Sequence, residues 1–361
     1  MKYYSLNKIN KKDATYNVIF GERSNGKTYA ALQQALENYF NNESQFAYIR
    51  RWSDDVTPRR LSNLFNALVE NGTLEKLSGG QFTAIFYRTG RFYLCKYDDK
   101  GKPIYNEQDI IGYAFSLSEN EHNKANSYPQ VTMIIFDEFL TNRVYLPDEF
   151  ILFMNTISTI VRQRTNVKIY MLGNTVNKYC PYFKEMGLTN ILTMKQGSID
   201  VYNYGNSKLK VAVEYADSKK KFKKNNYYFA FDNPKLSMIT GGSWELSIYP
   251  HAPIKWKPKD IVFTYFIDFN DQVYQCEIIN VKNIVFTYIH IKTTPIQNKN
   301  KDLIYSLDYN PKINYNISVL NPINDYQKKI AWFFLHNRVY YQDNNVGDAI
   351  NNYLKIVKRG R

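Results

Sequence analysis

Between residues 16 and 174, short and almost wholly apolar runs alternate with segments whose apolar positions recur every three or four residues. YNVIF (16–20), QFAYIR (45–50), VTMIIFDEF (131–139) and VKIYMLGN (167–174) are of the first kind and predict strands. The last two are apolar on both alternating sides, as in strands covered on both faces of a sheet. TYAALQQALENYF (28–40), PRRLSNLFNALVENG (58–72) and PDEFILFMNTISTIVRQR (147–164) carry helical spacing, the last with Pro147 at its start. Between them, residues 81–104 predict a hairpin that turns at Thr89-Gly90. Strands alternating with helices in this way specify an α/β domain built on a parallel sheet.

The pattern lapses near residue 205. KLKVAVEYADSKKKFKKNNYYF is polar and strongly basic, and reads as part of a linker over 206–243. Residues 260–291 then alternate apolar and polar positions in period two, predicting a three-stranded meander. Two helical patterns close the chain. One places Tyr326, Ile330, Phe333 and Phe334 on a single face, the other Val346, Ile350, Tyr353, Leu354 and Val357. The expected division is an α/β domain over 1–205, a basic linker over 206–243 and a smaller α+β domain over 244–361.

Composition narrows the partners. The 361 residues suffice for two cores, and 47 Lys+Arg against 33 Asp+Glu leave a formal charge of +14. That excess suits an anionic partner such as nucleic acid, or a basic soluble enzyme with no polymer partner. Cys95, Cys180 and Cys276 are too scattered for a disulfide framework, and the four histidines are too scattered for a zinc site. No apolar stretch approaches the ~18 residues of a membrane span. MKYYSLNKINKKD lacks the apolar core of a signal peptide, so the expected setting is cytoplasmic, without membrane.

The chemistry begins where the first strand meets the first helix. Gly21, Glu22, Arg23, Ser24, Asn25, Gly26, Lys27 and Thr28 fit the phosphate-cradling pattern G-x-x-x-x-G-K-[ST]. Glycines let successive N–H groups face the phosphates, and the helix that follows presents its positive end. Lys27 would reach the β- and γ-phosphates of ATP, and Thr28 would ligate Mg²⁺. MIIFDEF ends a buried strand on Asp137 and Glu138, at the sheet edge where open α/β proteins bind ligands. Asp137 would hold the Mg²⁺ and Glu138 would act as general base toward the attacking water. Asn174, closing VKIYMLGN, either senses the γ-phosphate or simply belongs to a turn. These elements describe a P-loop ATPase of the ASCE type, with an extra strand between the two that contact phosphate.

Several basic residues have two readings. Arg162 and Arg164 end a helix, where cations favour the dipole, or one of them serves as an arginine finger for a neighbouring subunit. KKKFKK (219–224) is a solvated linker or a grip on DNA phosphates. Arg50 and Arg51 face a ring lumen or pair with acids.

The blocks FGERSNGKTYA, FAYIRRW, LSENEHNKANSYPQVTMIIFDEF, YLPDEF, TIVRQRTNV and LGNTVNKYCPYF, in this order over roughly residues 16–185, resemble the DNA-packaging ATPases, or encapsidation proteins, of small tailed phages of the phi twenty-nine type. The resemblance implies an ATP-driven translocase of double-stranded DNA, forming a ring, expected as a homopentamer, at the portal of a phage procapsid in the host cytoplasm. It places Lys27, Thr28, Asp137 and Glu138 on nucleotide-site positions, and Arg23 on a glycine-loop arginine acting within the subunit. Arg162 falls on the trans-acting finger, with Arg164 second, and Lys124 on a lysine near the subunit interface. The C-terminal domain is similar to a degenerate RNase H-like nuclease. Asp268 matches its first acid and Asp260, Asp271 and Glu277 lie nearby, but no full two-metal set is apparent, so nuclease activity is not expected. The rival expectations are a cellular helicase or conjugative-type translocase, and a nucleotide-gated DNA-binding scaffold.

Overall fold

The computed structural model describes residues 4–119, 127–141, 145–176, 180–191, 193–217 and 247–358. The chain forms two compact units, Met1–Glu245 and Leu246–Arg361. The first holds the strands β1 (Tyr16–Gly21), β2 (Gln45–Arg50), β3 (Ala84–Arg88), β4 (Arg91–Tyr97), β5 (Pro103–Ile104), β6 (Ile110–Ser116), β7 (Val131–Asp137), β8 (Lys168–Asn174), β9 (Ile199–Asn203) and β10 (Lys210–Ala216). Its helices include α1 (Asn7–Asn10), α2 (Lys27–Asn42), the short α3 (Pro58–Leu61), α4 (Asn66–Glu70) and α5 (Thr73–Leu77), then α6 (Glu149–Val161) and α7 (Pro181–Glu185).

The strands form one ten-stranded sheet in the order β3-β4-β6-β2-β7-β8-β1-β10-β9, with β5 on β4. From β6 to β10 every neighbouring pair is parallel. Because successive strand residues point to opposite faces, the sheet divides its apolar side chains between two cores. Val18, Phe20, Ile134, Phe136 and Met171 join Phe153, Ile157 and Ile160 of α6 on one side. Ile19, Tyr48, Ile135 and Leu172 join Ala31, Leu32, Ala35 and Leu36 of α2 on the other. Cover on both faces explains why the sequence of these strands is continuous in apolar residues rather than alternating. The expected hairpin is present, with Thr89 and Gly90 both at positive φ between β3 and β4.

Two expectations are corrected. Residues 58–72 do not form one helix. Asn66 Nδ2 donates to Asn63 Oδ1, and Ser62 Oγ to the Pro58 carbonyl. Such local side-chain bonds compete with a continuous helical ladder, and the segment breaks into α3 and α4. Nor is all of 206–243 a linker. Lys210–Ala216 is β10, parallel to β1 and buried from Val211 onward. Its Val-Ala-Val centre is masked in composition by flanking lysines, and its buried Glu214 carboxylate accepts a 2.6 Å hydrogen bond from Tyr4. Residues 218–243 of that segment, KKKFKK included, lie outside the described residues.

The second unit contains β11 (Ile261–Phe269), β12 (Gln272–Val281), β13 (Ile284–Ile291), β14 (Ile304–Ser306), β15 (Tyr315–Asn316) and β16 (Val339–Tyr341), with α8 (Asp325–Leu335) and α9 (Asn344–Val357). The antiparallel meander β11-β12-β13 turns at Asn270-Asp271 and Lys282-Asn283, all four residues at positive φ. β14 and β16 extend it in parallel, giving the order β15-β14-β11-β12-β13-β16. The apolar faces of both helices are buried at Ile330, Phe333, Val346, Ile350, Tyr353 and Val357, whereas Tyr326 stays half exposed. All three cysteines are buried and free.

Candidate nucleotide site

The order β7-β8-β1 brings the C-terminal ends of three parallel strands side by side. β1 runs into the glycine loop, β7 ends on Asp137, and β8 ends on Asn174, in register with Gly21. Each predicted element therefore arrives at one sheet edge through strand order alone.

Two glycines are required by the geometry. A Cβ on Gly21 would lie 2.9 Å from the Ala216 carbonyl of β10. Gly26 adopts φ 91°, ψ 18° as the N-cap of α2, a conformation costly for any residue with a Cβ. Ser24 is also left-handed, at φ 59°. Lys27 is only 5% exposed. Its Nζ donates to the Glu22 carbonyl at 2.7 Å, to Asn25 Oδ1 at 3.1 Å and to Asn174 Oδ1 at 3.3 Å. Burial lowers its pKa to about 8, against the opposing pull of Asp137 and Glu22. Asn25 Nδ2 is buried with no acceptor among the described residues, an unspent donor inside the loop.

Asp137 is held from three sides. Thr28 Oγ1 donates to it at 3.1 Å, Tyr48 Oη at 2.9 Å, and Arg50 Nη1 lies 3.9 Å away. Burial raises its pKa, opposed by Arg50 and by the Tyr48 hydrogen bond. Thr28 and Asp137 present hard oxygen donors 3.1 Å apart, a set that suits Mg²⁺ sharing its shell with phosphate and water. Glu138 adopts φ 57°, a left-handed turn that ends β7 and sends its carboxylate into the open cleft. There it meets Arg50 Nη2 at 2.6 Å. Arg23, Arg50, Asp137, Glu138 and Asn174 line this cleft together.

The structure separates the paired arginines. Arg50 and Arg51 both engage acids: Arg50 meets Glu138 and Asp55, and Arg51 meets the buried Glu149. Arg162 caps α6 and is exposed, and it is not among the residues lining the cleft. Arg164 instead folds back on its own chain. Its guanidinium donates to the carbonyls of Tyr128, Pro129, Val131, Ile160 and Val161. Lys124 lies outside the described residues. Tyr48, Arg50, Arg51 and Glu149 were not singled out as site residues by sequence. The signal for the first three is positional, since β2 pairs with β7 in parallel and must end beside the acid pair.

In the second unit, Asp260 caps a short turn by accepting from the Lys257 amide, and Asp271 lies in the β11–β12 turn. Asp268 and Glu277 share a face, but Glu277 is opposite Thr264. Four strand positions, roughly 13 Å, separate the two acids along β11. Glu277 accepts from Gln275 at 2.7 Å and faces His290 at 3.5 Å. No group of three His, Cys, Asp or Glu residues among the described residues is placed to hold a metal ion.

The sequence model for the podovirus DNA encapsidation protein (Gp16) matches residues 1–346. The DNA packaging protein of Bacillus phage B103 is 28% identical over 210 residues, 57% of this chain, so that the match spans only 56% of the relative. That of Bacillus phage PZA is 24% identical over 274 residues, 74% of this chain and 73% of its own length. In fold, the chain is similar to a chain of the bacteriophage Phi-29 viral genome packaging motor assembly, with a TM-score of 0.61 and 21% identity over 99% of this chain and 98% of the other. With a match that takes in both units and the whole of the glycine-loop cleft, the chain belongs to the podovirus DNA encapsidation protein (Gp16) family.

Proposed function

We propose that the protein is an ATP-driven translocase that packages double-stranded DNA into a phage procapsid, working as a homomeric ring, a homopentamer by resemblance, at the portal vertex in the host cytoplasm. The observation that carries this reading is the convergence of glycine loop, acid pair and Asn174 on adjacent parallel strands, with Thr28 and Asp137 already 3.1 Å apart. The position of β8 between β7 and β1 supports the ASCE reading.

The roles follow from the contacts. An incoming triphosphate competes with neutral carbonyl and amide oxygens for Lys27 Nζ, and a charge-assisted bond to phosphate is the stronger partner. Asn25 Nδ2 and the N-terminal amides of α2 are further donors to it. Thr28 and Asp137 would hold Mg²⁺, which when bound neutralises charge building on the phosphates. Glu138 accepts the proton of the attacking water, which requires its carboxylate to loosen from Arg50. Asn174 orients the γ-phosphate or the water, and Arg23 projects from the loop into the same cleft. The exposure of Arg162, together with the internal engagement of Arg164, favours Arg162 as the finger offered to a neighbouring subunit. Double-stranded DNA is gripped through phosphates, consistent with the +14 charge, and Lys124 and residues 219–224 are candidates for interface and DNA contact. The meander with parallel strands added beside β11 supports an RNase H-like second unit, and the wide spacing of Asp268 and Glu277 supports its being degenerate as a nuclease.

The test is Glu138→Gln in the presence of procapsids and DNA. The variant should bind ATP, release no phosphate and package no DNA; continued turnover would overturn the assignment. Mixing Lys27→Ala with Arg162→Ala subunits should restore some hydrolysis at mixed interfaces, and no recovery would remove Arg162 as a trans residue.

A further inference from the structure

We propose that Arg51 and Glu149 are positioning residues: a buried ion pair that fixes the backbone at Glu138 and ties it to the helix ending in Arg162. The inference rests on the ATPase reading of the site. Arg51 is 6% exposed and Glu149 2%. Arg51 Nε meets Glu149 Oε2 at 2.8 Å. The rest of the guanidinium is spent on backbone: Nη1 donates to the Glu138 carbonyl at 3.2 Å and Nη2 to the Phe139 carbonyl at 2.7 Å. Its flat face lies 4.9 Å from the centre of the Tyr145 ring. Glu149 is equally committed, accepting from the Leu146 amide at 2.7 Å through Oε2 and from Tyr182 Oη at 2.8 Å through Oε1.

The placement gives the pair its consequence. The two carbonyls held by Arg51 follow Asp137 directly, where Glu138 is turned to φ 57°. A left-handed glutamate needs its neighbours to over-determine it, and the planar fork of Arg51 supplies two fixed points. Glu149 is the first residue of α6, and Arg162 is its C-cap. The 13-residue helix is a rod of roughly 20 Å, so displacement at one end is carried to the other. Unlike Arg50, which meets the Glu138 carboxylate, Arg51 reaches Glu138 through its backbone carbonyl. The pair thus joins the group that activates water in one subunit to the group that subunit offers its neighbour.

The experiment uses the full chain with procapsids and DNA, in Arg51→Lys and Glu149→Gln forms. Lysine keeps the charge and loses the fork. Affinity for a fluorescent ATP analogue should remain near wild type while kcat falls about 100-fold, the effect of displacing a reacting group by about an ångström. An unchanged kcat in both variants, or a fall in step with nucleotide affinity and melting temperature, would overturn the proposal. Hydrogen exchange on the wild-type protein decides even if neither variant folds. ATPγS with Mg²⁺ should alter protection in α6 as well as in the glycine loop. A change confined to the loop would overturn the pair's coupling role, whereas no change even at the loop would instead defeat the nucleotide reading beneath it.

Discussion

Arg164→Ala should weaken the fold, and Arg162→Ala, two residues away, should leave the fold intact and stop turnover. Arg164 donates to five carbonyls at 2.6–3.2 Å, drawn from the end of α6 and from the turn entering β7. A hydrogen bond to a charged group contributes roughly 1.5–3 kcal/mol, but one partly exposed guanidinium shares its strength among these bonds and water replaces some of them. The loss is therefore about 2–4 kcal/mol, or a melting temperature lower by roughly 5–15 °C in a unit of this size. Arg162 is an exposed cap, so its truncation should move the melting temperature by about 2 °C or less. Hydrolysis in the assembled ring should nevertheless fall by about 10³, the lower range for a lost arginine finger. Scanning calorimetry beside a phosphate-release assay reads both. A stable but inactive Arg164→Ala protein, with active Arg162→Ala, would exchange the two roles and refute the reasoning.

Further consequences are measurable. Because burial holds the Lys27 pKa near 8 while a triphosphate favours the charged ammonium, ATP affinity should decline as pH rises above about 8; titration with a fluorescent analogue up to pH 9.5 would contradict this if affinity stayed flat. The same depressed pKa means that the unfolded chain binds more protons between about 8 and the ordinary 10.5, so nucleotide-free stability contributed by Lys27 should grow with pH across that window. Denaturant midpoints of wild type and Lys27→Met should converge toward the alkaline end. Gly21→Ala should cost about 1–3 kcal/mol and abolish nucleotide binding, since its Cβ would press on the Ala216 carbonyl at 2.9 Å; a variant that melts and binds like wild type would show the contact to be soft.

What could be read from sequence was what neighbours in sequence determine. The glycine loop and the acid pair are contiguous motifs next to apolar runs, and the turn at Thr89-Gly90 is a two-residue signal. Their convergence depends on strand order, and the interposed β8 was legible only because Asn174 closed a recognisable run. The support of Asp137 was not legible. Tyr48 reads as one more apolar strand residue until β2 is known to lie beside β7. Glu149 gave no signal, because its partners Arg51 and Tyr182 are 98 and 33 residues away. β10 was hidden by its basic surroundings, although Val211 to Ala216 are buried without exception. As helix-end cations Arg162 and Arg164 read alike, and family resemblance alone ranked Arg162 first; the direction of the Arg164 guanidinium is the physical difference between them.

The buried thiols have a practical corollary for watching such a machine at work. Burial pushes Cys95 up to about 11, Cys180 up to about 12 and Cys276 well above its ordinary value, so few thiolates exist at neutral pH and none is at the surface. The native polypeptide is therefore already a silent background for maleimide dyes. One surface cysteine, introduced by design, would carry a fluorophore to a single known address without first stripping the chain of its own sulfur.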